Sequence, residues 1–173
     1  HYNLVPDVII IGKGVGGGFP LSAFAVKEEY AWALDKSSAS TTYGGNPIAC
    51  AAGLATLEVI EEEKILENVN KVGDFIINKL NSLKLNHKIV GDVRGKGMLL
   101  AIDLVKGSNT TEPFNEAGKI VYEKAFSKGL AWIPAGNILR LAPPLTMTEE
   151  LAEKAIDIID ESISYAEKYF GII

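Results

Sequence analysis

The run Val8-Ile9-Ile10-Ile11 constrains the fold more than any other part of the chain. It is entered through Pro6-Asp7 and followed at once by Gly12-Lys13-Gly14-Val15-Gly16-Gly17-Gly18-Phe19-Pro20. Four consecutive β-branched residues without polar alternation predict a strand buried on both faces, the pattern of a parallel sheet. The glycines then end it. A parallel strand needs neighbours, yet the first 46 residues offer at most one more candidate, Ala23-Phe24-Ala25-Val26. The rest of such a sheet is expected upstream of His1 or in another chain.

Beyond this point the chain changes period several times. Lys36 to Gly45 is a small-residue loop. Asn46-Pro47 predicts a helix start, since Asn caps well and Pro is tolerated at the first helical position. Ala49, Cys50, Ala51, Ala52, Gly53 and Ala55 give that helix a small-residue face that reads as close packing near a subunit interface. A second helix is predicted over Ile65 to Leu83, where Val69, Val72, Ile76, Leu80 and Leu83 recur at helical spacing. Ile89 to Gly97 and Met98 to Val105 read as a strand pair with a glycine-rich connection. Asn115 to Lys128 is a predicted helix stopped by Gly129, and Ala131 to Leu141 holds strand-like segments. Thr146 and Glu149 form a capping-box pattern ahead of a last helix reaching about Tyr169. The order is strand–loop–helix–helix, then β-β-α-β-α, which predicts an α/β part followed by a compact α+β part.

Composition excludes several classes of function. With 47% hydrophobic and 23% charged residues the chain is of a folding type. A net charge of −5 offers no dense basic face to nucleic acid. No apolar stretch near the start is long enough to span a bilayer, and His1-Tyr2-Asn3 does not open a signal peptide. The single cysteine, Cys50, rules out an internal disulfide framework, and with two histidines it leaves too few ligands for zinc. A reduced, cytoplasmic setting is expected. The first residue is not Met, so the chain is expected to be processed, trimmed or a fragment. Fifteen lysines stand against two arginines, Arg94 and Arg140. Each arginine is therefore expected where a planar two-point donor is needed.

The glycine loop admits two readings. Gly12, Gly14 and Gly17 match G-x-G-x-x-G, but further glycines and Phe19-Pro20 follow where a dinucleotide site needs the start of a helix. The Walker pattern is not matched. The other reading centres on Lys13, placed at the end of a buried strand where α/β folds hold ligands. Burial disfavours the ammonium and leaves a nucleophilic amine, able to form a Schiff base with an aldehyde. The flanking glycines spare a bulky cofactor from side chains. Residue by residue, a surface lysine in a flexible loop fits the same pattern. Arg94 reads as a structural residue tying a glycine turn to carbonyls or acids, and His87 as remote and exposed.

The stretch Pro6 to Ala23 closely resembles the cofactor-lysine signature of the class III pyridoxal-phosphate aminotransferases, the 4-aminobutyrate, ornithine and acetylornithine type. Thr42-Tyr43-Gly44-Gly45-Asn46-Pro47-Ile48-Ala49-Cys50-Ala51-Ala52 resembles the family's second signature. Val93-Arg94-Gly95-Lys96-Gly97-Met98 resembles its C-terminal-domain turn, and Leu139-Arg140-Leu141-Ala142-Pro143-Pro144-Leu145 its late substrate-site motif.

The resemblance implies a fold-type I pyridoxal-phosphate enzyme of α/β class. Residues 1–60 would be the C-terminal part of the large cofactor domain, and 61–173 connecting helices with the small α+β domain. It implies that Lys13 holds pyridoxal 5'-phosphate and moves the substrate proton. Thr42 would bind the cofactor phosphate of a neighbouring subunit, as in a homodimer with shared sites, and Arg140 would grip the substrate carboxylate. The implied reaction moves an amino group from an amino acid, with a 4-aminobutyrate- or ornithine-like donor favoured, to a 2-oxo acid such as 2-oxoglutarate. No metal, nucleic acid or membrane is implied. Ser38-Ala39-Ser40 departs from the histidine many relatives carry there. The phosphate-cradling loop, ring-stacking aromatic and pyridine-pairing aspartate would all lie upstream, so the chain is expected to be the C-terminal portion of a longer enzyme, inactive alone. The same family includes racemases and an aminomutase using the same lysine. A non-catalytic association module of the same fold and a nicotinamide-linked oxidoreductase are the other readings.

Overall fold

The computed structural model describes residues 3–33 and 41–173. They form two compact units, His1–Lys64 and Ile65–Ile173.

In the first unit, β1 (Val8–Ile11) pairs with β2 (Ala23–Val26). The pairing is antiparallel, with Val8 opposite Val26 and Ile11 opposite Ala23. The one neighbour of β1 among the described residues is thus antiparallel, and its other edge is unpaired among them. The β-branched run does form a strand, but the chain turns back and supplies the partner itself. Within the chain both faces of β1 are bare, and Ile10 is 82% exposed. An ion pair from Lys27 to Asp7, 2.5 Å, closes the open end of the pair. A short 3-10 turn, Lys13–Gly16, leaves β1.

Helix α1 (Pro47–Glu62) starts as expected: the Asn46 carboxamide oxygen accepts from the Ile48 and Ala49 N–H groups at 3.0 and 3.2 Å. Of its small residues, Ala49 and Gly53 are buried within the chain, while Cys50, Ala51 and Ala55 are exposed. A methyl group at Gly53 would stand 2.4 Å from Leu21 Cδ2 and 3.4 Å from the Val15 carbonyl oxygen. Only glycine lets the 13–21 segment seat this closely on α1. Cys50 is exposed. Residues 36–40 of the small-residue loop, with the Ser38-Ala39-Ser40 departure, lie outside the described residues.

The second unit is an antiparallel three-stranded sheet ordered β3 (Val90–Lys96), β4 (Leu99–Leu104), β5 (Ile138–Leu141). One face packs on α2 (Ile65–Asn86), α3 (Asn115–Ser127) and α4 (Glu149–Tyr169). The period of two puts Leu100, Ile102 and Leu104 of β4 into the core, and Leu99, Ala101 and Asp103 on the opposite face. Helical spacing does the same for Val72, Ile76, Leu80 and Leu83 of α2, and for Ala152, Ile156, Ile159 and Ile163 of α4. Helix α3 ends as expected at Gly129, φ 89°, where the Leu130 N–H returns to the Ala125 carbonyl at 3.0 Å.

Three expectations are corrected here. Helix α2 runs three residues further than Leu83, to Asn86. Residues 131–137 are not strand, apart from an isolated bridge between Ala135 and Ile138. Thr148, not Thr146, caps α4: its hydroxyl accepts from the Leu151 N–H at 3.3 Å. Thr146 lies too far ahead of the first helical residue to reach it.

Candidate functional site

The residues to which the sequence analysis assigns chemistry fall in both units, Lys13 and Thr42 in the first and Arg140 in the second. In the first unit Lys13 leads the turn after β1 and is exposed. Its backbone is left-handed, φ 55°, a region that side chains other than glycine seldom occupy. Nothing lies within 4 Å of the place a Cβ would take on Gly14 or Gly18 of the same loop. The loop is not a free tether. Gly17, also left-handed at φ 57°, sits so close to α1 that a Cβ would be 2.7 Å from Thr56 Oγ1.

Thr42 is exposed in the turn immediately ahead of α1. Its neighbour Thr41 is committed locally, with its methyl 2.4 Å from where a Cβ of Gly44 would stand. Lys13 and Thr42 thus belong to segments that pack on α1 or lead into it.

In the second unit Arg140 of β5 is exposed on the face of the sheet away from the helices, and it has no hydrogen bond or ion pair among the described residues. Arg94 of β3 lies on the same face and is engaged. Its guanidinium donates to both Asp103 oxygens at 2.5 and 3.1 Å, and to Asp92 at 3.0 Å. The two carboxylates, Asp103 first, raise the Arg94 pKa further. Hydrogen bonding from Arg94 holds the Asp92 carboxyl below its ordinary range. The structural role expected for Arg94 is what the geometry shows.

A cavity of about 390 Å³ lies between the sheet and helices, lined by Leu100, Trp132, Leu141, Met147 and Ile156 among others. Its lining is mainly apolar and includes Arg140. No group of three or more His, Cys, Asp or Glu able to hold a metal occurs among the described residues. Among them, no helix is long and apolar enough to cross a membrane.

His87 is the site the sequence reading missed. It is 7% exposed, not exposed as expected. Nδ1 lies 2.9 Å from Glu167 Oε2 and Nε2 2.6 Å from Asp160 Oδ1. The other Glu167 oxygen accepts from the Lys88 and Ile89 N–H groups at 2.6 and 3.2 Å. The cluster fastens the α2–β3 connection to α4. Nothing about it opens to a ligand, so its role is architectural.

Comparison with known proteins bears directly on this geometry. The family profile described as aminotransferase class-III matches residues 1–163. The alanine/serine racemase of Pyrococcus horikoshii is 42% identical over 166 residues, which cover 94% of this chain and 34% of the racemase. The acetylornithine aminotransferase of Caldanaerobacter subterraneus is 38% identical, with 95% of this chain and 39% of that protein covered. An amine transaminase from an uncultivated Pseudomonas species, solved in its PLP-bound form, superposes with a TM-score of 0.87 at 31% identity, covering 93% of this chain and 39% of that one. The chain thus spans between about a third and two fifths of these relatives' length. A profile match over nearly the whole chain, joined to this likeness in sequence and fold, shows that the chain belongs to the class III aminotransferases, a family of pyridoxal-phosphate-dependent enzymes.

Proposed function

We propose that the chain supplies the cofactor lysine, a phosphate-binding threonine and the carboxylate-gripping arginine of a pyridoxal-phosphate aminotransferase. The donor is a 4-aminobutyrate- or ornithine-like amino acid, and the acceptor a 2-oxo acid such as 2-oxoglutarate. The first unit belongs to the cofactor domain, the second is the small domain, and the enzyme works in the cytoplasm as a homodimer with shared sites.

The residues present fit that cofactor. Lys13 offers an exposed primary amine, Thr42 an exposed hydroxyl, and Arg140 an exposed guanidinium with no ion pair among the described residues. The cofactor, when bound, supplies the electron sink that stabilises negative charge on the substrate carbon. Lys13 Nζ would hold it covalently and would move the proton at the substrate carbon. The Thr42 hydroxyl donates to the phosphate of the partner's cofactor. Arg140 orients the amino acid through a two-point hydrogen-bonded pair with its carboxylate.

The observation that carries this reading is Lys13, an exposed lysine kept in a glycine-type backbone conformation within a glycine loop. Borohydride reduction of the holoenzyme, followed by peptide mapping, is expected to place the cofactor on the peptide containing Lys13. A label on a different lysine rejects the assignment. Arg140→Lys keeps the charge and loses the planar fork. It is expected to lower kcat/KM for amino acids by about 1.5–3 kcal/mol more than for amines without a carboxylate.

Racemisation is the second reading, favoured by the similarity to the alanine/serine racemase. Chiral analysis of the amino acid after incubation with and without a 2-oxo acid separates the two. Inversion without the oxo acid marks a racemase, and amino transfer that needs it marks a transaminase.

A further inference from the structure

The only two arginines of the chain share one row of the sheet. Arg94 of β3 lies directly opposite Ala101 of β4, and Ala101 lies directly opposite Arg140 of β5. All three residues are on the face away from the helices. Asp103, two residues along β4, is one diagonal step from each arginine, a separation that long side chains bridge. One carboxylate therefore stands within reach of two guanidinium groups. The structure gives it wholly to Arg94, through both oxygens.

The neighbouring row makes this division consequential. Asp92 lies directly opposite Asp103 across the β3–β4 pair. Two like charges so placed repel, and Arg94 bonds to both. Without Arg94, Asp92 would push Asp103 away from β3. The direction left to it is towards β5, where Arg140 offers an unpaired cation. Asp92 itself is a strand further away, and Lys84 stands 3.8 Å from it.

We propose that Arg94 is a positioning residue for substrate recognition: by holding Asp103 it keeps that carboxylate off Arg140 and leaves the Arg140 guanidinium open to the carboxylate of the substrate. The inference rests on the role given to Arg140 above and adds what keeps that role available. Ala101, between the two arginines, has too short a side chain to compete for either.

The test is a set of variants in the complete enzyme carrying this chain, assayed with an amino acid and with an amine that lacks the carboxylate. Arg94→Ala is expected to raise KM for the amino acid roughly fivefold, the upper range for an exposed ion pair acting as competitor, with kcat within about twofold. KM for the amine stays unchanged. Asp103→Asn alone is expected to stay near wild type, because it removes the competitor itself. The double variant Arg94→Ala/Asp103→Asn is expected to return KM to the wild-type value. A purely structural pair behaves differently: the two single variants are then equally impaired, and the double variant is no better than Arg94→Ala. Either result overturns the proposal. If Arg94→Ala does not fold, Arg94→Lys, with a one-point hold on Asp103, is expected to raise KM by an intermediate factor, and an unmoved KM overturns the idea. Arg140→Lys is assayed in parallel. Equal losses for the two substrates reject the reading of Arg140. Unequal losses there, with no effect at Arg94, reject only the role given to Arg94.

Discussion

Replacing Glu167 with alanine removes the acceptor at the centre of a cluster in which both His87 and Glu167 are buried. The carboxylate is 1% exposed and takes hydrogen bonds from the Lys88 and Ile89 N–H groups while facing His87 Nδ1. Each buried donor left without a partner costs about 1–3 kcal/mol. The Lys88 N–H recovers part of this from water, because Lys88 is exposed. The Ile89 N–H and the His87 ring have no such recourse, and Ile89 is fully buried. The sum is about 3–5 kcal/mol, the range found when one partner of a buried pair is deleted. At an m-value of about 1.5 kcal/mol/M, the urea midpoint falls by about 2–3 M. Trp132 reports on this unit, edge-on to Tyr122 at 5.4 Å. Trp32 is 87% exposed, so Trp32→Phe gives a background in which only Trp132 fluoresces. Glu167→Gln keeps an oxygen for the two N–H groups and offers an amide to the imidazole, and should cost only about 1–2 kcal/mol. A shift below about 0.5 kcal/mol for Glu167→Ala, the size of a neutral surface change, would refute the reasoning.

Two further outcomes follow from the same geometry. Gly118→Ala places a methyl 2.0 Å from the Gly136 carbonyl oxygen. The helix-propensity gain of about 1 kcal/mol is then outweighed by a collision with backbone, so a net loss of about 1–3 kcal/mol is expected in thermal melts, and a raised Tm would contradict this. Arg94 depresses the Asp92 pKa in the folded state. The stability this contributes is present above the ordinary carboxylate pKa and is lost as pH falls through the depressed folded value. In Arg94→Ala, NMR titration should return Asp92 towards the ordinary value, and an unmoved titration rules out Arg94 as the cause.

The helices and the β3–β4 pair were legible because apolar residues recur at periods of 3.6 and 2, and a period survives whatever packs against it. The motifs around Lys13, Thr42 and Arg140, on which the proposed roles rest, are short and each is local to its own loop or strand. The covering of β1 was not legible: Val8 to Ile11 is apolar on both faces, and periodicity says nothing about which strand pairs with it. His87 was misread because its partners Glu167 and Asp160 lie 80 and 73 residues away. The shared row of Arg94 and Arg140 depends on two registers, β3 on β4 and β4 on β5, and the irregularity between Val90 and Asp92 shifts the first of these at its far end. A sequence pattern does not count the residue that such an irregularity absorbs.

The left-handed backbone at Lys13 sets two kinds of selection against each other. A side chain in that conformation costs about 1–2 kcal/mol, which glycine avoids. A library of variants screened for folding alone should therefore drift towards glycine or asparagine at position 13 and melt at a higher temperature. A library screened for turnover should hold the lysine and regain the lost stability elsewhere in the chain. Sequencing both pools would record, at a single codon, how much stability this chain gives up to present one amine.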